Sequence, residues 1–425
     1  MTGVIKHWDE FNPALYKLNA ALKSADGNNA ATTSFGFRTI NNSGASLQIN
    51  NRPLFLRGTL ECNIFPKQGH APMEKNEWLK VFQTAKSYGL NHLRFHSWCP
   101  PAAAFEVADE LGFYLQVELP VWSLKIGKDK SADDFLRDEA KRIIKYYGSH
   151  PSFCLLSMGN EMQGNMQWLS DEVMALKAID KRRLYTNTTF TFKEGYGKWP
   201  VAADDYFVTQ YTKKGWVRGQ GIFDTDVPSF NKDYTAAVDS LPVPLIIHEV
   251  GQYAVYPNMR EIEKYTGVLK ATNFIAVKND LVKKNLLPLA DDFTKASGKL
   301  AVLLYKEEIE RALKTRGASG FQLLDLHDFP GQGTALVGIL DAFWESKGLI
   351  TPNGFRKFCS PVVPLIRFDK VTYTNDETFR ASVEVANFSS AAIKHAAVIW
   401  QLITENKQVI AKGKFSPSPL KLVMA

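Results

Sequence analysis

The stretch that decides the fold runs from residue 150 to residue 161 and reads 150-HPSFCLLSMGNE-161. Its mostly apolar centre, beginning at Phe153, predicts a strand buried on both faces, and Asn160 and Glu161 follow at the carboxyl end. In a parallel α/β barrel, the active site is built at that end of the strands. A carboxyl group backed by an apolar strand can stay protonated at neutral pH, because burial disfavours its charged form. The stretch therefore predicts a general acid on a barrel strand.

A second apolar run, 244-PLIIHE-249, also ends in a glutamate. Two carboxyl groups that face each other are the minimum chemistry for cleaving a glycosidic bond. For each glutamate taken alone, a structural interpretation stays open. Glu161 could interact with a helix dipole, and Glu249 could form an ion pair at a strand end. Two strand-end glutamates in one barrel favour catalysis over both structural interpretations.

Composition restricts the classes of partner. The net charge of +7 is spread over 425 residues without a dense Lys/Arg run, so we expect no nucleic-acid partner. No apolar run reaches the roughly 18 residues of a membrane span, and the first residues carry no signal core. We therefore expect a soluble chain, whose parent protein could be periplasmic or secreted.

The four cysteines predict free thiols, because their spacing fits neither a disulfide framework nor a metal site: Cys62, Cys99, Cys154 and Cys359. We expect neither a cofactor nor a metal.

Strand-like and helix-like segments alternate through the middle of the chain. The eight strand candidates are 54–59, 90–96, 113–119, 153–160, 184–189, 206–211, 244–249 and 319–325. Helical periodicity lies between them at about 74–88, 101–111, 132–147, 168–178 and 298–316. This alternation predicts an α/β fold, a (β/α)8 TIM barrel over residues 53–361. The segment from 253 to about 300 is too long for one crossover helix and predicts extra helices and a loop over the site.

Short all-β segments flank the predicted barrel. Residues 1–52 show strand-like runs at 15–22 and 36–40, which suit the end of an immunoglobulin-like domain. Residues 362–425 show runs at 365–371, 378–385 and 396–402, which suit part of a β-sandwich. Each segment is shorter than the about 100 residues of a complete sandwich, so the chain resembles a segment of a larger protein. We expect both segments to pack outside the barrel, whose core would be closed without them.

Further candidate substrate-binding residues cluster near the end of the second strand candidate. Arg94 could hold a carboxylate in its anionic form, as a nucleophile requires, or form a structural ion pair. Trp98 could stack on the apolar face of a sugar ring or pack under a loop. His96 stands at the same rim, although a lone histidine is more often a satisfied core residue.

Other strand ends supply the remaining candidates. Asn160 could hydrogen-bond a sugar hydroxyl, and the phenol of Tyr211 could hydrogen-bond the nucleophile or simply pack at the rim. Glu118 ends the third strand candidate and is a candidate substrate contact. Asp325, with His327 and Asp328, could hold sugar hydroxyls or fix the loop through Gly331 and Gly333.

The order of these motifs resembles glycoside hydrolase family 2, the β-galactosidase, β-glucuronidase and β-mannosidase group. The resemblance covers about residues 1–360 and rests on six segments: Trp8 with 12-NPALY-16, 35-FGFR-38, 51-NRPLFLRG-58, 108-ADELGFY-114, 150-HPS-152 with 159-GNE-161, and 248-HEVG-251. The Gly-Asn-Glu strand together with the Asp-Glu-Leu-Gly segment is the specific part.

The resemblance implies a retaining, exo-acting β-glycoside hydrolase that works by double displacement on an oligosaccharide or glycoside. It makes Glu161 the acid/base and Glu249 the nucleophile, and it matches Arg94, Asn160 and Tyr211 to positions that hold the nucleophile or the sugar 2-hydroxyl. A retaining pair stands about 5–5.5 Å apart. We further expect Arg94 to lower the pKa of Glu249 and the apolar strand to raise that of Glu161.

The sequence departs from the family pattern at four places. Leu60-Glu61-Cys62 stands where the family reaches a histidine, and the histidine of the second strand is displaced to His96. The eighth strand reads Phe321-Gln322-Leu323-Leu324-Asp325 without the family's tryptophan, and no metal-associated histidine follows Glu118.

Two other functional classes are alternatives to a glycosidase. A non-catalytic carbohydrate-binding barrel would have lost the role of the glutamate pair, and the presence of both glutamates argues against it. An unrelated metal-dependent hydrolase would need a cluster of metal ligands on the strand ends, and none is visible in the sequence.

Overall fold

A computed structural model describes residues 4–220, 222–330, 336–415 and 418–422, and its central feature is a sheet of eight parallel strands. The barrel strands are β1 (Leu56–Glu61), β2 (His92–Phe95), β3 (Tyr114–Glu118), β4 (Phe153–Ser157), β5 (Leu184–Thr186), β6 (Phe207–Thr209), β7 (Leu245–Gly251) and β8 (Ala318–Leu324). Each of the eight strand candidates contains or overlaps one of these strands, so the predicted TIM-like architecture is confirmed.

The strands follow the order β5-β4-β3-β2-β1-β8-β7-β6, all parallel. The two outer strands approach each other and nearly close the barrel. The Asp205 amide donates to the Tyr185 carbonyl at 2.8 Å, and the Phe190 amide donates to the Val208 carbonyl at 3.0 Å. Side chains that follow the carboxyl ends of all eight strands therefore share one rim.

Helices cover the outside of the barrel. They are α1 (Lys75–Ser87), α2 (Ala102–Leu111), α3 (Lys130–Tyr147), α4 (Met166–Ile179), α5 (Thr235–Val238), α6 (Thr272–Lys283), α7 (Ala290–Lys314) and α8 (Pro352–Phe355), with 3₁₀ turns at Met259–Lys264 and Leu287–Leu289. The turn at 259–264 and α6 are the extra elements expected after residue 253. Among the described residues, no helix combines the length and the apolar character needed to cross a membrane.

Local sequence explains the helix boundaries. Asp129 starts α3 by accepting hydrogen bonds from the Ser131 and Ala132 amides. Leu136, Ala140 and Ile143 are buried at helical spacing along the face that α3 turns toward the barrel.

The amino-terminal segment closes the bottom of the barrel. A three-stranded sheet, Ile40–Ser43, Ser46–Ile49 and Arg52–Pro53, packs its buried residues against barrel side chains. One apolar cluster joins the two parts: Trp8, Ile40, Leu47, Ile49, Leu54, Leu56, Tyr114, Cys154, Leu155, Leu184, Tyr206, Val208 and Ile246. The expectation that the barrel core is closed without residues 1–52 is corrected, because these residues fill its lower end. A boundary between residues 52 and 53 would cut through the small sheet.

The outlying β segments form simple antiparallel pairs. Tyr16–Ser24 pairs with Gly27–Phe35, and nearly every residue of this hairpin is exposed. In the carboxyl-terminal part, Val362–Arg367 pairs with Ser382–Asn387, Ile393–Ala396 with Ser418–Leu420, and Ile399–Ile403 with Val409–Lys414. The first of these pairs packs its Val363, Leu365 and Ala386 side chains into the barrel's main core.

Candidate active site at the carboxyl rim of the barrel

A pocket of about 520 Å³ opens at the carboxyl ends of the barrel strands. Its wall includes both strand-end glutamates, Glu161 and Glu249, together with His96 and Asn160. All four were candidate site residues, and they come from three different strands and the loops that follow them. This convergence is the arrangement in which barrel enzymes hold their catalytic groups.

The two glutamates face each other across this pocket. One carboxylate oxygen of Glu161, one of Glu249 and a ring nitrogen of His248 all lie within 4.8 Å of one another. Both glutamates have left-handed backbone conformations, with φ of 48° at Glu161 and 47° at Glu249. Residues other than glycine rarely adopt this conformation, and such strain is concentrated at functional sites in proteins.

Arg94 lies fully buried beneath the pocket and connects three side chains. Its Nε donates to Glu118 Oε1 at 2.7 Å, and its Nη2 donates to Asn160 Oδ1 at 2.7 Å. Its Nη1 lies 3.3 Å from Glu249 Oε1 and donates to it. The single guanidinium therefore fixes the position of Glu249 and of Asn160, the residue that precedes Glu161.

The surroundings of Glu249 favour its anionic form. Burial by itself would raise the pKa of this carboxyl, but the electrostatic interactions with His248 and Arg94 outweigh that cost. A hydrogen bond from His96, whose Nε2 lies 3.5 Å from Glu249 Oε1, acts in the same direction, and the pKa lies well below its usual range. Burial in turn holds the pKa of His248 well below its usual value. The guanidinium of Arg94 is a permanent positive charge beside Glu249, whereas burial opposes a charge on His248.

The surroundings of Glu161 have the opposite effect. Burial raises the pKa of this carboxyl, and the negative charge of Glu249 raises it further. A hydrogen bond from the indole of Trp122 and the positive charge of Arg94 reduce the shift without cancelling it. Two neighbouring carboxyl groups whose pKa values are pushed apart are the pattern of a general acid beside a nucleophile.

Two other candidate residues lie behind the pocket. Glu118 is fully buried and accepts hydrogen bonds from Arg94, Gln116 and Thr189, so it supports the arginine instead of reaching substrate. The ring of Trp98 packs on Trp78 and Phe95, and its Nε1 donates to the Glu61 carbonyl at 2.9 Å. The packing alternative for Trp98 is therefore the one that the structure shows.

Tyr211 and Asp325 also lie off the pocket wall. The Tyr211 ring packs edge-on against Phe190 and Trp216, with ring centroids 5.4 and 5.3 Å away. Tyr211 and Glu249 are both described by the structure, and no hydrogen bond joins them.

Asp325 is fully buried and accepts hydrogen bonds from the Thr59 hydroxyl and the Leu326 amide. His327 Nδ1 lies 3.3 Å from Asp325 Oδ2, and Asp328 pairs with Lys347 at 2.7 Å. These residues thus stabilise the segment after β8, whereas Gly331 and Gly333 lie outside the described residues.

Eight residues of the pocket wall were not among the candidates: Cys62, Trp122, Phe192, Gln210, Arg218, Gln252, Leu324 and Phe329. Trp122 and Gln210 follow β3 and β6, and Phe192 and Arg218 lie in the longer loops after β5 and β6. An aromatic residue four positions after Glu118 was a usable signal for Trp122. The two loop residues had none, because nothing local in the sequence shows how a long loop folds back over a site.

Three possible metal ligands come together at the pocket. The sequence showed no ligand cluster on the strand ends, but Glu161, His248 and Glu249 bring one ligand atom each within 4.8 Å. These groups could hold a cation by distance alone. The Arg94 guanidinium already supplies a positive charge 3.3 Å from Glu249, which disfavours a second cation at the same carboxylate.

Comparisons with known proteins agree with this geometry. Residues 40–277 match the family model described as glycosyl hydrolases family 2, TIM barrel domain, and residues 377–423 match a domain of unknown function. A β-galactosidase of Photobacterium profundum is 24% identical over 164 residues, covering 37% of this chain and 16% of that protein. A putative β-glucuronidase of Formosa agariphila is 28% identical over 192 residues, covering 43% of this chain and 18% of that protein.

Solved structures share the fold over more of the chain. A family 2 β-galacturonidase from Eisenbergiella tayi bound to galacturonate has a TM-score of 0.60 at 15% identity, covering 83% of this chain and 60% of that one. A β-glucuronidase of Parabacteroides merdae has a TM-score of 0.61 at 14% identity, covering 99% of this chain and 51% of that one. The matched part thus spans 51–60% of these two structures and 16–18% of the two curated relatives named above. Because the family model matches more than half of the residues, the chain belongs to glycosyl hydrolase family 2 and carries its TIM barrel domain.

Proposed function

We propose that this protein is a retaining, exo-acting β-glycoside hydrolase that uses Glu161 as acid/base and Glu249 as nucleophile. The observation that carries the proposal is the close approach of these two carboxylates, within 4.8 Å in one pocket, with their pKa values shifted in opposite directions. Retaining pairs stand about 5–5.5 Å apart, whereas inverting pairs need about 6.5–9.5 Å to admit a water. The observed spacing supports the retaining mechanism.

In the first step, the Glu249 carboxylate attacks the anomeric carbon while Glu161 gives its proton to the glycosidic oxygen. The bond between that carbon and the leaving oxygen breaks, and a glycosyl ester forms on Glu249. Arg94 holds Glu249 in the anionic state that the attack requires. The raised pKa of Glu161 keeps its proton available for the leaving group.

In the second step, Glu161 acts as a base. It takes a proton from a water that attacks the anomeric carbon, the ester bond breaks, and Glu249 leaves as a carboxylate. The pKa of Glu161 should change during the cycle, because the negative charge of Glu249 raises it. This pKa falls when Glu249 becomes an uncharged ester, which suits a base, and it rises again when the carboxylate is released.

The substrate class follows from the family and from its relatives. The curated relatives include β-galactosidases and putative β-glucuronidases, so the proposed substrate is a β-linked glycoside with a terminal sugar in the pocket. Asn160 lies on the pocket wall beside Glu161 and is placed to hydrogen-bond a sugar hydroxyl. Trp122, on the same wall, offers an aromatic face to the sugar ring.

A panel of chromogenic β-glycosides tests the proposal. We expect hydrolysis of at least one β-glycoside with retention at the anomeric carbon, and a 2-fluoro glycoside of that sugar should label Glu249. The matched control is Glu249→Gln, which keeps the shape of the side chain and should not be labelled. Sugar binding without hydrolysis by the unaltered protein would favour the non-catalytic carbohydrate-binding barrel instead.

A further inference from the structure

Arg218 is a second buried arginine at the pocket, and it is paired differently from Arg94. It is 7% exposed and forms part of the pocket wall. Its Nη1 donates to the main-chain carbonyls of His248 at 3.2 Å and Glu249 at 2.9 Å. Its Nε is buried and has no hydrogen-bond partner in the part of the chain that the structure describes. Within the described residues, no carboxylate lies within ion-pair distance of this guanidinium, whereas Arg94 is paired with two.

The carboxyl groups of Glu249, Glu308 and Glu161 act on the charge of Arg218 from beyond ion-pair distance, and Glu308 is engaged in other hydrogen bonds. Glu308 accepts hydrogen bonds from the Gly219 amide at 2.7 Å, from Tyr253 at 2.9 Å and from Tyr234 at 3.3 Å. Burial lowers the pKa of Arg218, which is the mark of a cation that lacks full compensation. A buried charge without a partner is costly, so its retention at a binding pocket points to an anion supplied by the ligand.

The loop around Arg218 holds the guanidinium in a fixed place. A short hairpin, Tyr211–Thr212 with Gly215–Trp216, precedes it, and the Val217 amide donates to the Gln210 carbonyl at 3.0 Å. The Gly219 amide is bound by Glu308 on the other side. A charged group that is fixed before the ligand arrives gives up little conformational entropy on binding.

We propose that the sugar bound beside Glu249 carries an anionic group, most simply the carboxylate of a uronic acid, which forms an ion pair with Arg218. This inference rests on the proposed glycosidase function and adds the substrate class. An arginine fork matches the two oxygens of a carboxylate, and a sulfate ester offers the same charge with a different geometry. Neutral hexoses lack the group and gain nothing from the buried cation.

Calorimetric titration of the full chain tests the inference without requiring turnover. The probes are glucuronate, galacturonate, glucose, galactose, galactose 6-sulfate and the methyl ester of each uronate. We expect one of the uronates to bind about tenfold or more tightly than its hexose, and its methyl ester to bind no better than the hexose. Selective binding of the 6-sulfate instead would support the anion site and assign it to a sulfated sugar.

Two variants distinguish a specific role of Arg218 from the general effect of removing one positive charge. Arg218→Gln should lose the preference for the anionic sugar, measured as the ratio of its affinity for the uronate to its affinity for the hexose. The control is Arg260→Gln, an exposed arginine paired with Asp291, which should keep the preference. If Arg218→Gln does not fold, the comparison of uronate with methyl ester on the unaltered protein still decides the question.

The outcomes distinguish this inference from the proposed function. Hydrolysis of neutral glycosides with no preference for an anionic sugar would leave the glycosidase proposal standing and overturn the role of Arg218. An anion preference without any hydrolysis would support the Arg218 site and contradict the glycosidase proposal. Equal binding of all probes, or no binding of any, would overturn the inference.

Discussion

Arg94 and Glu249 form a buried ion pair in which Nη1 lies 3.3 Å from Oε1, at the point where β2 and β7 meet the pocket. The same guanidinium binds Glu118 and Asn160, so one cation on β2 organises side chains from β3, from the segment after β4 and from β7. The charge and the position of Glu249, the proposed nucleophile, therefore depend on Arg94, a residue that the substrate need not touch.

We expect Glu161→Gln to lower kcat by about 10²–10⁴-fold on glycosides with poor leaving groups, since this is the usual contribution of general acid catalysis. The loss should be smaller for an activated leaving group, which needs little protonation. Azide should restore turnover of the activated substrate in Glu161→Ala, because it replaces water without needing a base. An equal loss on both leaving groups would contradict the acid role.

The rate should fall on both sides of an intermediate pH. Glu161 must be protonated for the first step, so kcat/KM should decline as pH rises through its raised pKa. Glu249 must be ionised, so the acidic decline should lie below the usual range of a glutamate. A pH–rate profile on an activated glycoside measures both limbs. If Glu161→Gln loses the basic limb of the profile, that limb reports the titration of Glu161. If the variant keeps the basic limb, another group is responsible for it.

Arg94→Lys should move the acidic limb of that profile to higher pH. A lysine cannot bind Glu118, Asn160 and Glu249 at once, so Glu249 would lose part of the charge that lowers its pKa. We expect kcat to fall as well. Arg52→Lys is the matched control, because Arg52 is also buried in an ion pair but lies at the opposite end of the barrel. An unchanged acidic limb in Arg94→Lys would contradict the positioning role.

The sequence predicted the barrel well because its strands are short apolar runs that end in polar residues. The run 153–157 and the glutamate that follows it show both features, and the pattern repeats at 245–249. The side chains that line the pocket were harder to predict. Gln210 lies on the wall whereas its neighbour Tyr211 packs beside it, and the direction of a side chain just beyond a strand depends on the loop that follows.

The lower end of the barrel shows a different limit of sequence analysis. The sequence assigned the short strands 40–43 and 46–49 to a separate β domain. The alternation of apolar and polar residues in a strand does not indicate which surface the apolar face covers. The structure places Leu47 and Ile49 in one cluster with the barrel residues Leu155 and Ile246. Only long-range packing determines this arrangement.

Stability should fall as pH rises from neutral toward 10. Burial by itself would lower the pKa of His327, but the charge of Asp325 and a hydrogen bond to it outweigh that cost and raise the pKa to about 9. Because the pKa of His327 is higher in the folded protein than in the unfolded chain, its protonated form stabilises the fold. This contribution is fully present below the unfolded-state pKa and is lost as pH rises through about 9. Urea unfolding at pH 7 and pH 10 measures the loss. His327→Gln should show a smaller difference between the two pH values, and an equal difference would point to other groups.

Leu47→Ala should destabilise the whole barrel by about 2–5 kcal/mol, the usual cost of deleting a buried leucine side chain. Leu47 is fully buried in the cluster that fills the lower end of the barrel, so the cavity left behind would lie between the small sheet and the strands. The matched control is Leu22→Ala in the exposed hairpin, where the leucine is 69% exposed and the change should be close to neutral. Urea unfolding followed by circular dichroism compares the two. If both variants unfold like the unaltered protein, the small sheet contributes nothing to the barrel core, and the boundary at residue 53 would be restored.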